Sequence, residues 1–190
     1  MTIATSGTLR VFGVDPGLTR CGVGVVDVAR DRSASLVYVD VVRTSPSDPI
    51  EKRLALIAEG LRTVVDRFAP DVVAVERVFS QHNRQSVMGT AQASGIALLI
   101  AGERGLRAET HTPTEVKAAI TGYGAADKRQ VQTMVARVLR LDALPQPADA
   151  ADALALALCH AWRTSTSAPR ATALTPAQRA WAEAERGTRR

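Results

Sequence analysis

The sequence predicts an α/β domain built on a mixed five-stranded sheet that opens with a three-stranded meander and carries helices on both faces. Three observations predict it. The first 43 residues hold three strand-patterned runs with no helical period among them. From Ser47 onward, helical periods alternate with short apolar runs. The run "DVVAVERVF" is almost continuously apolar, the pattern of a central strand covered on both faces.

The elements follow in order. Leu9 to Val14 is nearly all apolar, "CGVGVVDV" resumes after a short turn, and "SLVYVDVVR" alternates β-branched with other residues. In "SDPIEKRLALIAEGLRTVVDRFAP", Leu54, Ile57, Ala58, Leu61, Val64, Val65 and Phe68 recur at a helical period. Asp48 is the expected N-cap, with Pro49 in the first turn and Glu51 at the third position, and Pro70 ends the helix. A strand in "DVVAVERVF" precedes a long helix over roughly 84–104 and a short strand in "LRAETH". Thr112, Pro113 and Glu115 read as a capping box for a helix through Ile120. After a turn at Gly122 and Gly124, Asp127 with Gln130 caps a helix in "KRQVQTMVARVLRL". A last helix starts near Ala148. Residues 1–163 form one domain. Residues 164–190, rich in Ser, Thr, Ala and Pro, form a flexible tail with five Arg against Glu183 and Glu185. That tail is either a source of non-specific DNA affinity or a solvated terminus.

At 190 residues the chain has room for one sizeable core, not two full domains. Its hydrophobic content of 46% and charged content of 23% are those of a globular protein. The net charge of +5 favours polyanionic partners without naming one. Cys21 and Cys159 sit in apolar runs without CxxC spacing, which fits a reduced cytoplasmic chain rather than a disulfide framework or zinc site. No apolar run approaches the ~18 residues of a membrane span, and the start has no leader pattern.

Four carboxylates stand out. Asp15 ends a strand before Pro-Gly, which is ordinary turn chemistry but also the place where α/β sheets gather ligands. Glu76 leaves "VVAVE" in the same way, so it is either solvated or a ligand. Asp149 and Asp152 lie on one face of the last helix. Asp149 suits a helix dipole, whereas Asp152 interrupts an apolar surface. If the helix turns both toward the strand ends, four carboxylates converge, and a hard divalent cation is the usual neutraliser. An all-oxygen set suits Mg²⁺ or Mn²⁺ better than zinc, and a pair of such ions about 3.5–4 Å apart can hydrolyse a phosphodiester.

Lys117 and Lys128 lie near the starts of two successive helices, where backbone N–H groups and the dipole favour phosphate. On spacing alone, two solvated lysines explain them equally well. Arg129 adds charge beside Lys128. Phe79, in the polar loop "ERVFSQHN", either tucks into the core or stacks on a base. Arg84, just beyond, is placed to touch phosphate. His82 and His111 read as polar loop residues, His160 as packing on the last helix, and Trp162 and Trp181 as packing or tail residues. The small residues of "SVMGTAQASGIALLIAG" allow close helix approach within one chain or across a dimer.

Four motifs, "VDPGLTRCG", "VAVERVFSQHN", "THTPTEVKAAITGYGAADKRQVQ" and "PADAADALALALCH", resemble those of the RuvC family, the bacterial Holliday junction resolvases of the ribonuclease H-like superfamily. They occur in order from about Arg10 to His160. The resemblance implies a ribonuclease H-like fold and places the family's metal-binding acids on Asp15, Glu76, Asp149 and Asp152, with Asp15 between two Mg²⁺ ions. It implies DNA contacts at Lys117 and Lys128, stacking by Phe79 near the junction centre, and a homodimer. It further implies a partnership with the RuvA–RuvB branch-migration proteins. The expected activity is paired symmetric nicking of four-way junctions, leaving 5′-phosphate and 3′-hydroxyl ends. Three other classes compete with it. A YqgF-type RNA-processing nuclease would lack the Phe79 loop and the Lys117–Lys128 segment in this form. A sugar-kinase or actin-like phosphotransferase would need a second phosphate loop. A binding module would hold junctions without cutting them.

Overall fold

A computed structural model describes residues 7–78 and 84–167. Its elements are β1 (Thr8–Asp15), β2 (Arg20–Ala29), β3 (Ala34–Arg43), α1 (Ile50–Phe68), β4 (Val72–Glu76), α2 (Arg84–Glu103), β5 (Arg107–His111), α3 (Pro113–Thr121), α4 (Lys128–Val138) and α5 (Ala148–Ser167). The five strands form one sheet in the order β3-β2-β1-β4-β5. The meander pairs antiparallel, whereas β1–β4 and β4–β5 are parallel. This is the predicted mixed α/β architecture.

Strand alternation divides the interior into two cores. Val11, Val26, Val28, Val72 and Ala74 face α3, α4 and α5. Phe12, Val14, Cys21, Val23, Val25, Val73 and Val75 face α1 and α2. On α1, Ile57, Ala58, Leu61, Val64 and Val65 make the buried stripe, as the period predicts. Helix α5 is buried on nearly every side from Ala150 to Trp162, because it lies between the sheet and the α3–α4 layer. It approaches the sheet closely because β1 and β2 carry glycines beneath it. A Cβ on Gly13 would collide with the Ala153 carbonyl oxygen, and one on Gly22 with that of Asp149.

Two capping boxes form as expected, Thr112 with Glu115 and Asp127 with Gln130. The α1 cap does not. Pro49 is the N-cap residue without a side-chain bond, and the Asp48 carboxylate instead accepts from Lys52 Nζ at 2.9 Å. A lysine one turn along the helix competes successfully for that carboxylate. Helix α1 ends at Phe68, and its C-cap Ala69, just before Pro70, lies in the left-handed region (φ 45°). Helix α5 continues to Ser167, past the expected start of the tail, and residues 168–190 lie outside the described residues. His111 is not in a loop. It ends β5, is buried, and lies 3.1 Å (Nε2) from His160 Nδ1, because its register partner Glu76 aligns it on the α5 side of the sheet.

Candidate active site

The carboxylates gather where β1 and β4 end. These neighbouring parallel strands pair Val14 with Val75, so Asp15 and Glu76 leave the sheet side by side. Asp15 follows the parity of Val11 and Gly13, and Glu76 that of Val72 and Ala74, so both point to the α5 face. The first turns of α5 bring Asp149 and Asp152 over them, pinned by the close seat at Gly22. Asp15, Glu76 and Asp152 line a cleft of about 260 Å³ with Lys117 and Lys128, over an apolar floor that includes Val116, Val131 and Leu156.

Electrostatics mark this cluster as short of positive charge. Burial pushes the Asp15 carboxyl up to about 8, and the charges of Glu76, Asp152 and Asp149 add to it, while Lys128 opposes. Burial also raises Glu76, reinforced by Asp152 and opposed by a hydrogen bond shared with Asp15. Asp152 is raised by burial too, against the pull of Lys128. Lys128 Nζ donates to Asp152 Oδ2 at 2.7 Å. Burial works against its charge, but the Asp152 bond and the surrounding acids hold its pKa above the ordinary lysine value. Asp149 forms an ion pair with Arg20, Nε to Oδ2, at 2.9 Å.

Each acid therefore faces a neighbour: Asp15 with Glu76, Asp149 with Arg20, Asp152 with Lys128. In these rotamers no group of three His, Cys, Asp or Glu side chains among the described residues is arranged to hold a metal ion. The chemistry of the donor set nevertheless fits a hard divalent cation. It is all oxygen, mounted on two strand ends and one helix, and short of compensating positive charge, which raises the Asp15 pKa.

Other predicted residues are placed differently. Arg129 lies off this cleft and lines a separate cavity with Thr121, Tyr123 and Met134, since consecutive helix positions point about 100° apart. Phe79 and His82 lie outside the described residues, and Arg84 opens α2 with its side chain outside the description. Sequence reasoning missed Arg20. Its signal was the alternation of "RCGVGV", which puts Arg20 on the same face as Gly22, the register partner of Asp15.

A sheet of this topology with an acidic cluster at the ends of two adjacent central strands defines the class: an α/β nuclease fold of the ribonuclease H-like kind. The family model described as "Crossover junction endodeoxyribonuclease RuvC" matches residues 11–160. A protein of that name from Leifsonia xyli subsp. xyli is 58% identical over 197 residues, covering 96% of this chain and 95% of that one. Another from Pseudarthrobacter chlorophenolicus is 57% identical, covering 96% and 98%. Among solved structures, T. thermophilus RuvC in complex with Holliday junction substrate superposes with a TM-score of 0.78 at 38% identity, covering 83% of this chain and 96% of that one. The yeast mitochondrial resolvase Ydc2, at 13% identity and a TM-score of 0.60, shares the fold. This chain belongs to the RuvC family of crossover junction endodeoxyribonucleases, divalent-metal-dependent hydrolases of DNA. No helix among the described residues is long and apolar enough to cross a membrane.

Proposed function

We propose that this protein resolves four-way (Holliday) DNA junctions in recombination and repair, acting in the cytoplasm, by paired symmetric nicks that leave 5′-phosphate and 3′-hydroxyl ends. The observation that carries this reading is the convergence of Asp15, Glu76, Asp149 and Asp152 on one face of the sheet, with Lys117 and Lys128 beside them. The four acids would hold two Mg²⁺ ions, with Mn²⁺ as a substitute. When bound, the ions supply activation of the attacking water and stabilisation of charge on the phosphodiester oxygens.

The chain's own residues set up that chemistry. Asp15, its carboxyl raised by burial and by the neighbouring acids, gives up its proton on loading, so loading is favoured by higher pH. Glu76 leaves its shared hydrogen bond at the same time. Lys128, half-exposed and already cationic, exchanges Asp152 for a DNA phosphate, and Lys117 grips the same strand. Arg129, on another face of α4, and Arg84, at the start of α2, meet phosphates further away. Phe79 stacks at the junction centre. Two matched nicks call for two equivalent sites, which a C2 dimer provides. Met88, Leu98 and Leu99 of α2 are exposed at 62%, 41% and 52% in the single chain, an apolar strip suited to pairing with a second copy. Family membership supports RuvA–RuvB as the branch-migration partners.

The test is cleavage of a labelled four-way junction and a matched linear duplex, in Mg²⁺ and in EDTA, by wild type and Asp152→Asn. Paired nicks in the junction alone, lost in EDTA and in the variant, are expected. Tight binding without cutting in Mg²⁺ or Mn²⁺ would replace this reading with a binding module.

A further inference from the structure

On the α5 side of the sheet, two successive rows of residues lie at the ends of the strands. Register puts Arg43 of β3 directly opposite Arg20 of β2, Gly22 opposite Asp15 of β1, and Glu76 of β4 opposite His111 of β5. Residues directly opposite in an antiparallel pair share a face, with Cβ atoms about 4.5–5.5 Å apart. Two arginines there repel unless something anionic lies between or above them. Arg20 finds Asp149 but keeps 57% of its side chain exposed. The Arg43 side chain is exposed and meets no hydrogen-bond or ion-pair partner among the described residues.

A third guanidinium arrives from the opposite layer. Arg53, in the first turn of α1, donates through Nε to Thr44 Oγ1 at 2.9 Å and through one terminal nitrogen to Thr19 Oγ1 at 2.8 Å. Thr44 is itself fixed, its Oγ1 donating to the Leu18 carbonyl at 2.6 Å and its N–H to the Thr19 carbonyl at 3.0 Å. Arg53 is therefore rigidly held by neutral hydroxyls at Thr19 and Thr44, the residues next to Arg20 and Arg43. No carboxylate among the described residues neutralises it. The nearby acids are otherwise engaged. Asp48 is held by Lys52, and the Asp40 carboxylate accepts from the Tyr38 hydroxyl at 3.0 Å and from the Val41 N–H at 2.7 Å. Arginine held this way, with donors left over, suits a phosphate oxygen.

We infer that Arg20, Arg43 and Arg53 form a second phosphate-binding rim, on the β2–β3 side of the carboxylates, that grips the DNA backbone opposite Lys117 and Lys128. A strand crossing Asp15 and Glu76 is then held on both sides of the bond to be cut. Arg20 links the rim to the site, since a phosphate that draws its guanidinium away frees the Asp149 carboxylate. The rim rests on the nuclease reading above.

The test measures junction binding in EDTA over a salt series for wild type, Arg43→Ala, Arg43→Glu and Arg53→Ala, with phosphate-ethylation interference for each. Arg43→Ala is expected to weaken binding several-fold and to make the slope of log K against log salt shallower by about 0.9, one phosphate contact. Arg43→Glu weakens it further. Interference disappears on one side of the cut, and in Lys117→Ala on the other. Arg43 is exposed, so its variants keep the test valid even if Arg53→Ala fails to fold. Affinity and slope like wild type in both Arg43 variants, or loss of interference on the Lys117 side, would overturn the rim. Wild-type protein that cuts junctions while the Arg43 variants bind normally refutes the rim alone. Wild-type protein that neither binds nor cuts junctions refutes the nuclease reading, and the rim with it.

Discussion

The two ends of the central strands use the same chemical groups to opposite effect. Where β1 begins, Arg10 makes a two-pronged pair with Asp27 at 2.7 and 2.8 Å and donates to the Phe68 carbonyl at 2.9 Å. The Arg10 backbone N–H is taken by Asp71. There the guanidinium and the Asp27 carboxylate match one for one, and the Asp27 hydrogen bond raises the Arg10 pKa. Where β1 ends, four carboxylates share Lys128 and Arg20, and Asp15 holds a proton up to about pH 8. One end is a satisfied ion pair that fastens the strands. The other is a buried excess of negative charge, tolerable only with a proton or a cation.

The largest way to break this comparison is to neutralise one of the crowded acids. Asp15→Asn and Asp152→Asn should lower junction cleavage below detection while leaving junction binding intact. A gel assay that separates bound from cut junction checks both, and lost binding by a folded variant would contradict the metal-site assignment. Next in size is the stability of the metal-free protein. The Asp15 carboxyl titrates at 3.8 in the unfolded chain and at about 8 in the folded one, so the folded state keeps a proton that the unfolded state releases. Stability is full below pH 3.8 on this account and falls as pH rises through about 8. Melting in EDTA should therefore weaken between mildly acidic and mildly alkaline pH. Asp15→Asn should recover on the order of several °C at the alkaline end, and calorimetry at two pH values reads the difference.

At the satisfied end the effect is smaller and of another kind. Asp27→Ala should cost about 1 kcal/mol, because the pair is partly exposed, and leave cleavage of the folded enzyme unchanged. Urea unfolding alongside the cleavage assay measures both. On the acid side the sensitive group is His160. Burial, with His111 adding to it, pushes its pKa from 6.5 to about 4. The unfolded chain then binds more protons in that window, so stability is full above pH 6.5 and declines as pH falls toward 4. His160→Gln should flatten this acid-side slope in the same calorimetry series.

Much of the molecule was legible in the chain. The strand-patterned runs of β1 to β3, the apolar stripe of α1 and the capping boxes of α3 and α4 are local features, fixed by neighbours within a few residues, and they formed as read. Asp48 departed from expectation because a capping side chain has more than one partner within reach, and Lys52 took it. His111 departed because its environment is set by register with β4 and by contact with α5, both distant in sequence. Arg20, Arg43 and Arg53 were invisible as a group for the same reason, since only strand pairing and the α1 crossing bring them together.

By itself the sequence determined the elements, their order, and the four acids that share one parity at strand ends and one face of a helix, because alternation and helical period are properties of a local backbone. Only the tertiary structure decided that α5 settles onto Gly13 and Gly22 and so brings Asp149 and Asp152 over Asp15 and Glu76. It also decided that Lys128 and Arg20 are the partners of those helix acids. Burial and Coulomb interaction depend on distance in space, and residues more than a hundred positions apart in the chain acquire such distances only when the sheet and its helices pack.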